Sequence, residues 1–238
     1  MRLNESTALV TDRVVLRPYR RWHVPRYSEW MGDEALREAT ASERLTLDEE
    51  YAMQQSWRLD EDKLTFIVHL RDPSAPTPTS DRLSFLAAHN DSSRMIGDVN
   101  LFLHAVTPPS SPSSSAPSAL SAPPLTRRAE LEIMLPPSPL VPPRSGLALL
   151  VVQTFLSYSS RALNLPPRAY FARIGFDNEA SLGLFRKLGF VEGKRVEVFR
   201  EVEMVWPEES ATDGRWLWER QAGWAYEEVE DPRDDERD

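Results

Sequence analysis

In the stretch AELEIML, Ala129 to Leu135, two carboxylates lie two residues apart. On a strand, that spacing turns Glu130 and Glu132 to one face and Leu131, Ile133 and Leu135 to the other. A carboxylate held this way can draw a proton from a substrate, directly or through water. The same alternation also describes an ordinary strand with one face in solvent. Asp98, in MIGDVNLFL, is a third candidate base, and Glu43, Glu49 and Glu50 are acids that could line the entrance for a cationic substrate. The chain has no cysteine, which excludes disulfides, thiolate catalysis and cysteine-ligated zinc. His23, His69, His89 and His104 show no ligand spacing, so no metal site is expected.

The elements that must position these residues follow from periodicity. RVVLRPY, Arg13 to Tyr19, alternates like a first strand, and RWHVPRYSEWMGDEALREA reads as one bent helix or two short ones. TLDEEYAMQQSW begins a helix with a capping box, the Thr46 hydroxyl and the Glu49 carboxylate each reaching the other's backbone. LTFIVHL, MIGDVNLFL, AELEIML, RAYFARI and RVEVFREVEMVW read as strands, the last as a strand or hairpin, with a further possible strand at LSFLAAH. SGLALLVVQTFLSYSSRALN is long, free of proline and apolar almost all round in its first half, which predicts a buried helix.

The most sharply bounded element is DNEASLGLFRKLGF, Asp177 to Phe190. Asp177 or Asn178 can cap a helix starting near Glu179, and Gly189 can close it in a Schellman motif that brings Phe190 against Phe185. Strands and helices in this order predict an α/β (α+β) layer architecture.

Two Pro/Ser-rich stretches, at about residues 72–94 and 105–127, are expected to be disordered insertions, since their composition cannot bury enough apolar surface to offset ordering entropy. They leave one domain over residues 1–206, followed by a C-terminal segment, 207–238, with Trp216, Trp218 and Trp224 expected to pack on the body. The formal charge of −9 is concentrated in EEVEDPRDDERD, residues 227–238, where eight acids face two arginines. That tail is expected to be solvated, and the near-neutral body gives no electrostatic footprint for nucleic acid. No window approaches the roughly 20 apolar residues of a membrane span, and no secretory signal is apparent, so the expected location is the cytoplasm, with the nucleus possible.

The strand AELEIML leading through a loop into SGLALLVVQTFLSY, followed by DNEASLGLFRKLGF, resembles the GNAT acyl-CoA N-acyltransferases. Within that superfamily HVPRYSEWM, TASERLTLDEEYAMQQSW, KLTFIV and MIGDVNLFL are similar to the N-acetyltransferase 9-like family, over about residues 1–206 outside the insertions. The resemblance implies a splayed mixed β-sheet flanked by helices, in which AELEIML and RAYFARI part and acetyl-CoA lies in the gap. Met134 and Leu135 would offer backbone partners to the pantetheine arm, with Asn178 near that arm and Phe185 near the thioester. The pyrophosphate would rest at the helix start, on the N–H groups of Arg144, Ser145, Gly146, Leu147 and Ala148.

Two departures stand out. PRSGLA puts Pro143 where the family's loop carries Arg or Gln, and Phe185 stands where many members have a tyrosine that protonates the leaving thiolate. The implied reaction transfers acetyl to a primary amine. A protein or peptide N-terminal amine, pKa about 8, is favoured over lysine, about 10.4, because more of it is neutral. Glu132 is preferred to Glu130 as base because it lies nearer the splay. Two other readings stay open: a non-catalytic scaffold that binds a protein partner, and an enzyme for small amines. The oligomeric state is not fixed by the sequence.

Overall fold

The computed structural model describes residues 1–106, 125–207, 216–220 and 225–231. Most of the second Pro/Ser-rich stretch, Trp224 and residues 232–238 lie outside these. The chain opens with β1, Thr7–Val10, and β2, Val14–Pro18, then α1, Val24–Trp30, and α2, Glu34–Ala39. The expected helical stretch is thus two short helices, the second capped by Asp33, which accepts from the Ala35 and Leu36 N–H groups. Next come α3, Leu47–Leu59, β3, Lys63–Leu70, α4, Arg82–Ala88, and β4, Met95–Ala105. The Thr46–Glu49 capping box is present at the start of α3. After β5, Arg127–Met134, follow α5, Leu147–Leu163, β6, Tyr170–Gly175, and α6, Glu179–Leu188. A hairpin of β7, Val191–Val196, and β8, Glu201–Val205, precedes the last strand, β9, Glu227–Glu230.

Among the described residues the strands form one sheet in the order β7-β8-β6-β5-β4-β3-β2-β1-β9. Every neighbouring pair is antiparallel except β5–β6, which is parallel. One face packs on α5 and α6: Leu64 and Phe66 of β3, Val99 and Leu101 of β4 and Leu131 of β5 meet Val151, Phe155 and Phe185 in the main core. The other face carries α1 and α3 over Ile67, Met95 and Met134, and α4 over Val15 and Val229. Strand alternation explains this division, because each strand sends odd and even positions to opposite sides.

The sequence at α6 is realised in detail. Asn178 Oδ1 accepts from the Ser181 N–H at 3.1 Å. Gly189 takes φ 99°, a left-handed conformation that glycine reaches without steric penalty. The Phe190 N–H donates to the Phe185 carbonyl at 3.0 Å, and the two rings meet edge to face at 5.2 Å.

Several expectations are corrected. RVVLRPY is not the first strand; β1 precedes it, only four residues long and held by pairing with β2 on one side and β9 on the other. LSFLAAH is the helix α4 and not a strand, so residues 72–94 are not simply a disordered insertion. Asp81 caps α4 by accepting from the Ser84 N–H, Phe85 and Leu86 are buried, and Leu83 is exposed, a helical and not a two-residue division. The acidic tail is not wholly solvated either. Residues 227–230 pair with β1 as an edge strand, Val229 is buried, and Asp231 accepts from Arg17 Nε and Nη2, both at 2.8 Å. Trp216 and Trp218 do pack on the body: they stack 5.0 Å apart, and their indole N–H groups donate to Ser160 and Ser157 of α5. The described residues of the C-terminal segment, 216–220 and 225–231, therefore pack on the rest of the sheet and α5.

Candidate active site

β5 and β6 are paired at Ala129–Tyr170 and Glu130–Phe171 and at no later position among the described residues. Both strands nevertheless continue, β5 pairing with β4 as far as Met134 and β6 pairing with β8 as far as Gly175. A wedge therefore opens between them, widening toward the C-terminal ends of both strands. Gly97 helps set its edge: a Cβ there would lie 2.0 Å from the Met134 carbonyl oxygen, so only glycine lets β4 approach the end of β5 this closely. That contact also shows that the Met134 peptide points at β4. Backbone alternation then turns Ile133 and Leu135 toward the gap. Of the two expected backbone partners Leu135 remains available, and Met134 is already committed to the sheet.

After β5 the chain leads to α5, whose N-cap is Gly146 and whose first internal bond runs from the Leu150 N–H to the Gly146 carbonyl at 3.1 Å. The N–H groups of Gly146, Leu147 and Ala148 precede that ladder and carry the positive end of the helix. The Ser145 N–H, expected to be free, donates to the Pro142 carbonyl at 3.2 Å and closes a turn instead. A cation that sequence reading overlooked stands beside this loop: Arg13 Nη1 donates to the Ser145 carbonyl at 2.9 Å, and the Arg144 backbone sits at φ 60°. At α6, Asn178 spends its oxygen on the cap, which leaves its amide nitrogen for a ligand. Phe185 is 2% exposed and packs inside the core against Phe190, so it offers a ligand no surface.

The residues around the candidate bases come from three adjacent strands. Thr65, Asn100 and Glu132 are aligned across β3, β4 and β5, and Asp98 and Lys63 stand one pleat repeat to either side on the same face. Thr65 Oγ1 bonds Asn100 Oδ1 at 2.7 Å, Asn100 Nδ2 donates to Asp98 Oδ2 at 3.0 Å, and the Tyr27 hydroxyl donates to the same oxygen at 3.1 Å. Asp98 is buried, and burial pushes its pKa up to about 6 against these bonds and Lys63.

Glu130 and Glu132 share a face as expected but differ in circumstance. Glu130 is buried and held by Arg173 Nη1 at 2.9 Å and His104 Nε2 at 2.8 Å, a clip across the point where the strands part. Glu132 makes no ion pair among the described residues and keeps an accessible surface. The protein around it still removes enough water to push its pKa up to about 7, against the Lys63 ammonium and with Glu130 and Asp98 adding to the rise. A cavity of about 200 Å³ opens on the α1–α3 side, lined by Tyr27, Met31, Leu45, Glu50, Met53 and Trp57, among others. Glu50 is buried there with Oε2 unpartnered, and burial raises its pKa. Glu49, by contrast, is engaged in the α3 capping box.

A mixed sheet opened between two parallel strands, with a buried helix connecting one to the other, defines the GNAT class of acyltransferases. Residues 13–191 match the family model for the acetyltransferase (GNAT) domain. The Drosophila melanogaster alpha/beta-tubulin-N-acetyltransferase 9 is 40% identical over 207 residues, which span 87% of this chain and 90% of that protein. An N-acetyltransferase 9-like protein of Schizosaccharomyces pombe is 38% identical over 212 residues, 86% of this chain and 97% of that one. Among solved structures, the ribosomal L7/L12 alpha-N-protein acetyltransferase RimL in complex with coenzyme A superimposes with a TM-score of 0.53 at 13% identity, over 82% of this chain and 94% of that one. The chain belongs to the N-acetyltransferase 9-like family of GNAT acetyltransferases. It is an acyl-CoA-dependent N-acetyltransferase. No helix among the described residues is long and apolar enough to cross a membrane.

Proposed function

We propose that the chain transfers acetyl from acetyl-CoA to the N-terminal α-amine of a protein, with Glu132 as general base. The observation that carries this reading is the gap between β5 and β6 with an accessible, unpaired carboxylate beside it. The pantetheine arm would bond the Ile133 and Leu135 peptides, which β6 does not pair, and the pyrophosphate would meet the Gly146, Leu147 and Ala148 N–H groups. Arg13 and Arg144 flank that loop and supply the cations that Pro143 cannot. Asn178 has an amide nitrogen to offer the arm.

The acceptor's amine would enter from the α1–α3 side, where Glu43 and Glu50 favour a cation and the 200 Å³ cavity can take its first side chain. The neutral amine attacks the thioester carbonyl, its nitrogen becomes cationic as the C–N bond forms, and Glu132 takes the proton that the nitrogen then sheds. A peptide N–H of the opened strand polarises the carbonyl oxygen. The thiolate leaves without a tyrosine, since its pKa is roughly 8.5 and Phe185 offers no proton. The name of the Drosophila relative makes tubulin chains the first acceptors to test, and the α-amine reading puts that test at their amino termini.

Incubation with acetyl-CoA and peptides carrying those termini, read by mass spectrometry, should place acetyl on the α-amine and not on internal lysines; acetylation of lysine or spermidine alone would refute the assignment. Two ionisations should appear in kcat/KM, the acceptor amine near 8 and Glu132 near 7. A raised carboxyl is protonated, and so inactive as a base, below its pKa. The fall in rate should therefore steepen below about pH 7, and Glu132→Gln should remove that second limb.

Ala148→Glu tests the anion site separately. A carboxylate in the first turn favours the helix itself by a few tenths of a kcal/mol. It would repel a diphosphate, so KM for acetyl-CoA should rise about tenfold or more with Tm unchanged or higher. An unchanged KM would move the nucleotide away from α5.

A further inference from the structure

Lys63 is a buried charge to which the transfer described above gives no role. It opens β3, is 5% exposed, and makes no ion pair among the described residues. Its ammonium lies 2.8 Å from the centre of a Trp57 ring and 4.4 Å from that of Phe102. A buried lysine ordinarily closes on a carboxylate, because an unpaired ammonium is costly away from water. Here aromatic faces take the cation instead, and they do so without using up a carboxylate. The cage is a product of the fold: Phe102 is the β4 residue paired with Lys63, and Trp57 comes from the last turn of α3.

Register decides what this charge acts on. Lys63, Asn100, Phe102 and Glu132 share one face of β3, β4 and β5, so the ammonium and the Glu132 carboxylate lie on the same side with the Asn100 and Phe102 side chains in the strand between them. The charged groups around it are Asp60 after α3, Asp98 on β4, Glu130 and Glu132 on β5, Arg173 on β6 and the Met1 ammonium, which donates to the Lys63 carbonyl. Glu130 and Arg173 neutralise each other in their own ion pair. Asp98 already has Tyr27 and Asn100 as donors. Glu132 has no such partner, which leaves Lys63 as the cation that acts on it most.

We propose that Lys63 is a positioning residue for acetyl transfer, its caged ammonium acting through space to keep Glu132 ionised while leaving that carboxylate unpaired and open to the substrate. The proposal rests on Glu132 being the base. A direct salt bridge would hold the charge more strongly but would occupy the oxygens that must receive the proton. The Trp57–Phe102 cage resolves this conflict by keeping the cation near and disengaged. The electrostatics agree in sign: burial pulls Lys63 down to about 7 with Asp98 and Glu132 opposing, so the ammonium is fully present below that pH, on the limb where Glu132 takes up its proton, and there Lys63 is the largest influence resisting the burial-driven rise at Glu132.

The test is kcat/KM against pH for the unaltered chain, Lys63→Met, Lys63→Arg and Glu132→Gln, with the acetyl-CoA-dependent rise in Tm confirming that each variant folds and binds. Lys63→Met keeps the stem and removes the charge. It should move the lower inflection up by about half a unit to one unit, lowering kcat/KM roughly three- to tenfold at pH 6.5. Lys63→Arg should leave that inflection in place. If Lys63→Met does not fold, Lys63→Gln carries the same expectation. An inflection that stays put when the charge is removed overturns the proposal, and so does an equal shift in the Met and Arg variants, which would mark a packing role. Full activity in Glu132→Gln would instead remove the base itself, a failure of the underlying reading that the Glu132 variant identifies alone.

Discussion

Glu132→Gln is expected to lower kcat/KM by about 10²- to 10⁴-fold at neutral pH while leaving the fold and the acetyl-CoA-dependent rise in Tm intact. Glutamine keeps the size of the side chain and cannot accept the proton. Glu132 makes no ion pair among the described residues, so no partner is orphaned by the change. Its accessible position means that little packing is lost. Glu130→Gln is the informative contrast. Glu130 is held between Arg173 and His104, so its loss should loosen the clip between β5 and β6 and lower Tm, with a smaller direct effect on the chemical step. If the two variants exchanged these phenotypes, the base would be Glu130 and the clip would have to be redrawn.

The second large effect lies far from the wedge. Asp231→Ala should destabilise the protein by about 3–5 kcal/mol, read as a lower urea midpoint at unchanged m-value. The Arg17 and Asp231 side chains are 4% and 2% exposed, and the carboxylate takes two guanidinium bonds at 2.8 Å. Removing it would leave a cation with no counter-charge at this contact. Arg17 would keep the carbonyls of Leu86 and His89, the Asn90 side chain and the face of Trp22, none of them a counter-charge. The loss should propagate to β9, since the Asp231 N–H also donates to the Ser6 carbonyl at 3.0 Å. A variant with wild-type stability would mean that the acidic C-terminal strand is an ornament on the sheet and not part of it.

Much of the fold could be read from local signals. The caps of α3 and α6 are written into short stretches, Thr46 with Glu49 and Asn178 with Gly189, and short-range hydrogen bonds are the kind of constraint that sequence expresses directly. What failed was decided over long range. LSFLAAH is short enough to read either way until the burial of Phe85 and Leu86 with Val15 and Val229 fixes it as helix, although its Asp81 cap is a local signal. β9 was hidden because EEVED looks like a solvated acidic run. Its one inward apolar residue, Val229, and the buried Asp231 acquire meaning only from β1 and Arg17, more than two hundred residues away.

The same division holds at the site. Glu130 and Glu132 were visible from alternation, but their difference was not, since Arg173 and His104 reach Glu130 from other strands. Lys63 carried no signal at all: a lysine at the start of a strand is usually solvated, and only the position of Trp57 and Phe102 reveals it as caged. The helix start at Gly146 was anticipated, whereas the use of the Ser145 amide in a turn and the approach of Arg13 required the loop's conformation.

Backbone amide exchange, followed residue by residue with and without acetyl-CoA, tests the open wedge most directly. Protection should appear at Ile133 and Leu135, whose peptides face the gap, and at Gly146, Leu147 and Ala148, with Met134 unchanged because it is already bonded to β4. Protection confined to other parts of the sheet, with those five amides exchanging as before, would contradict the placement of the acyl donor between β5 and β6.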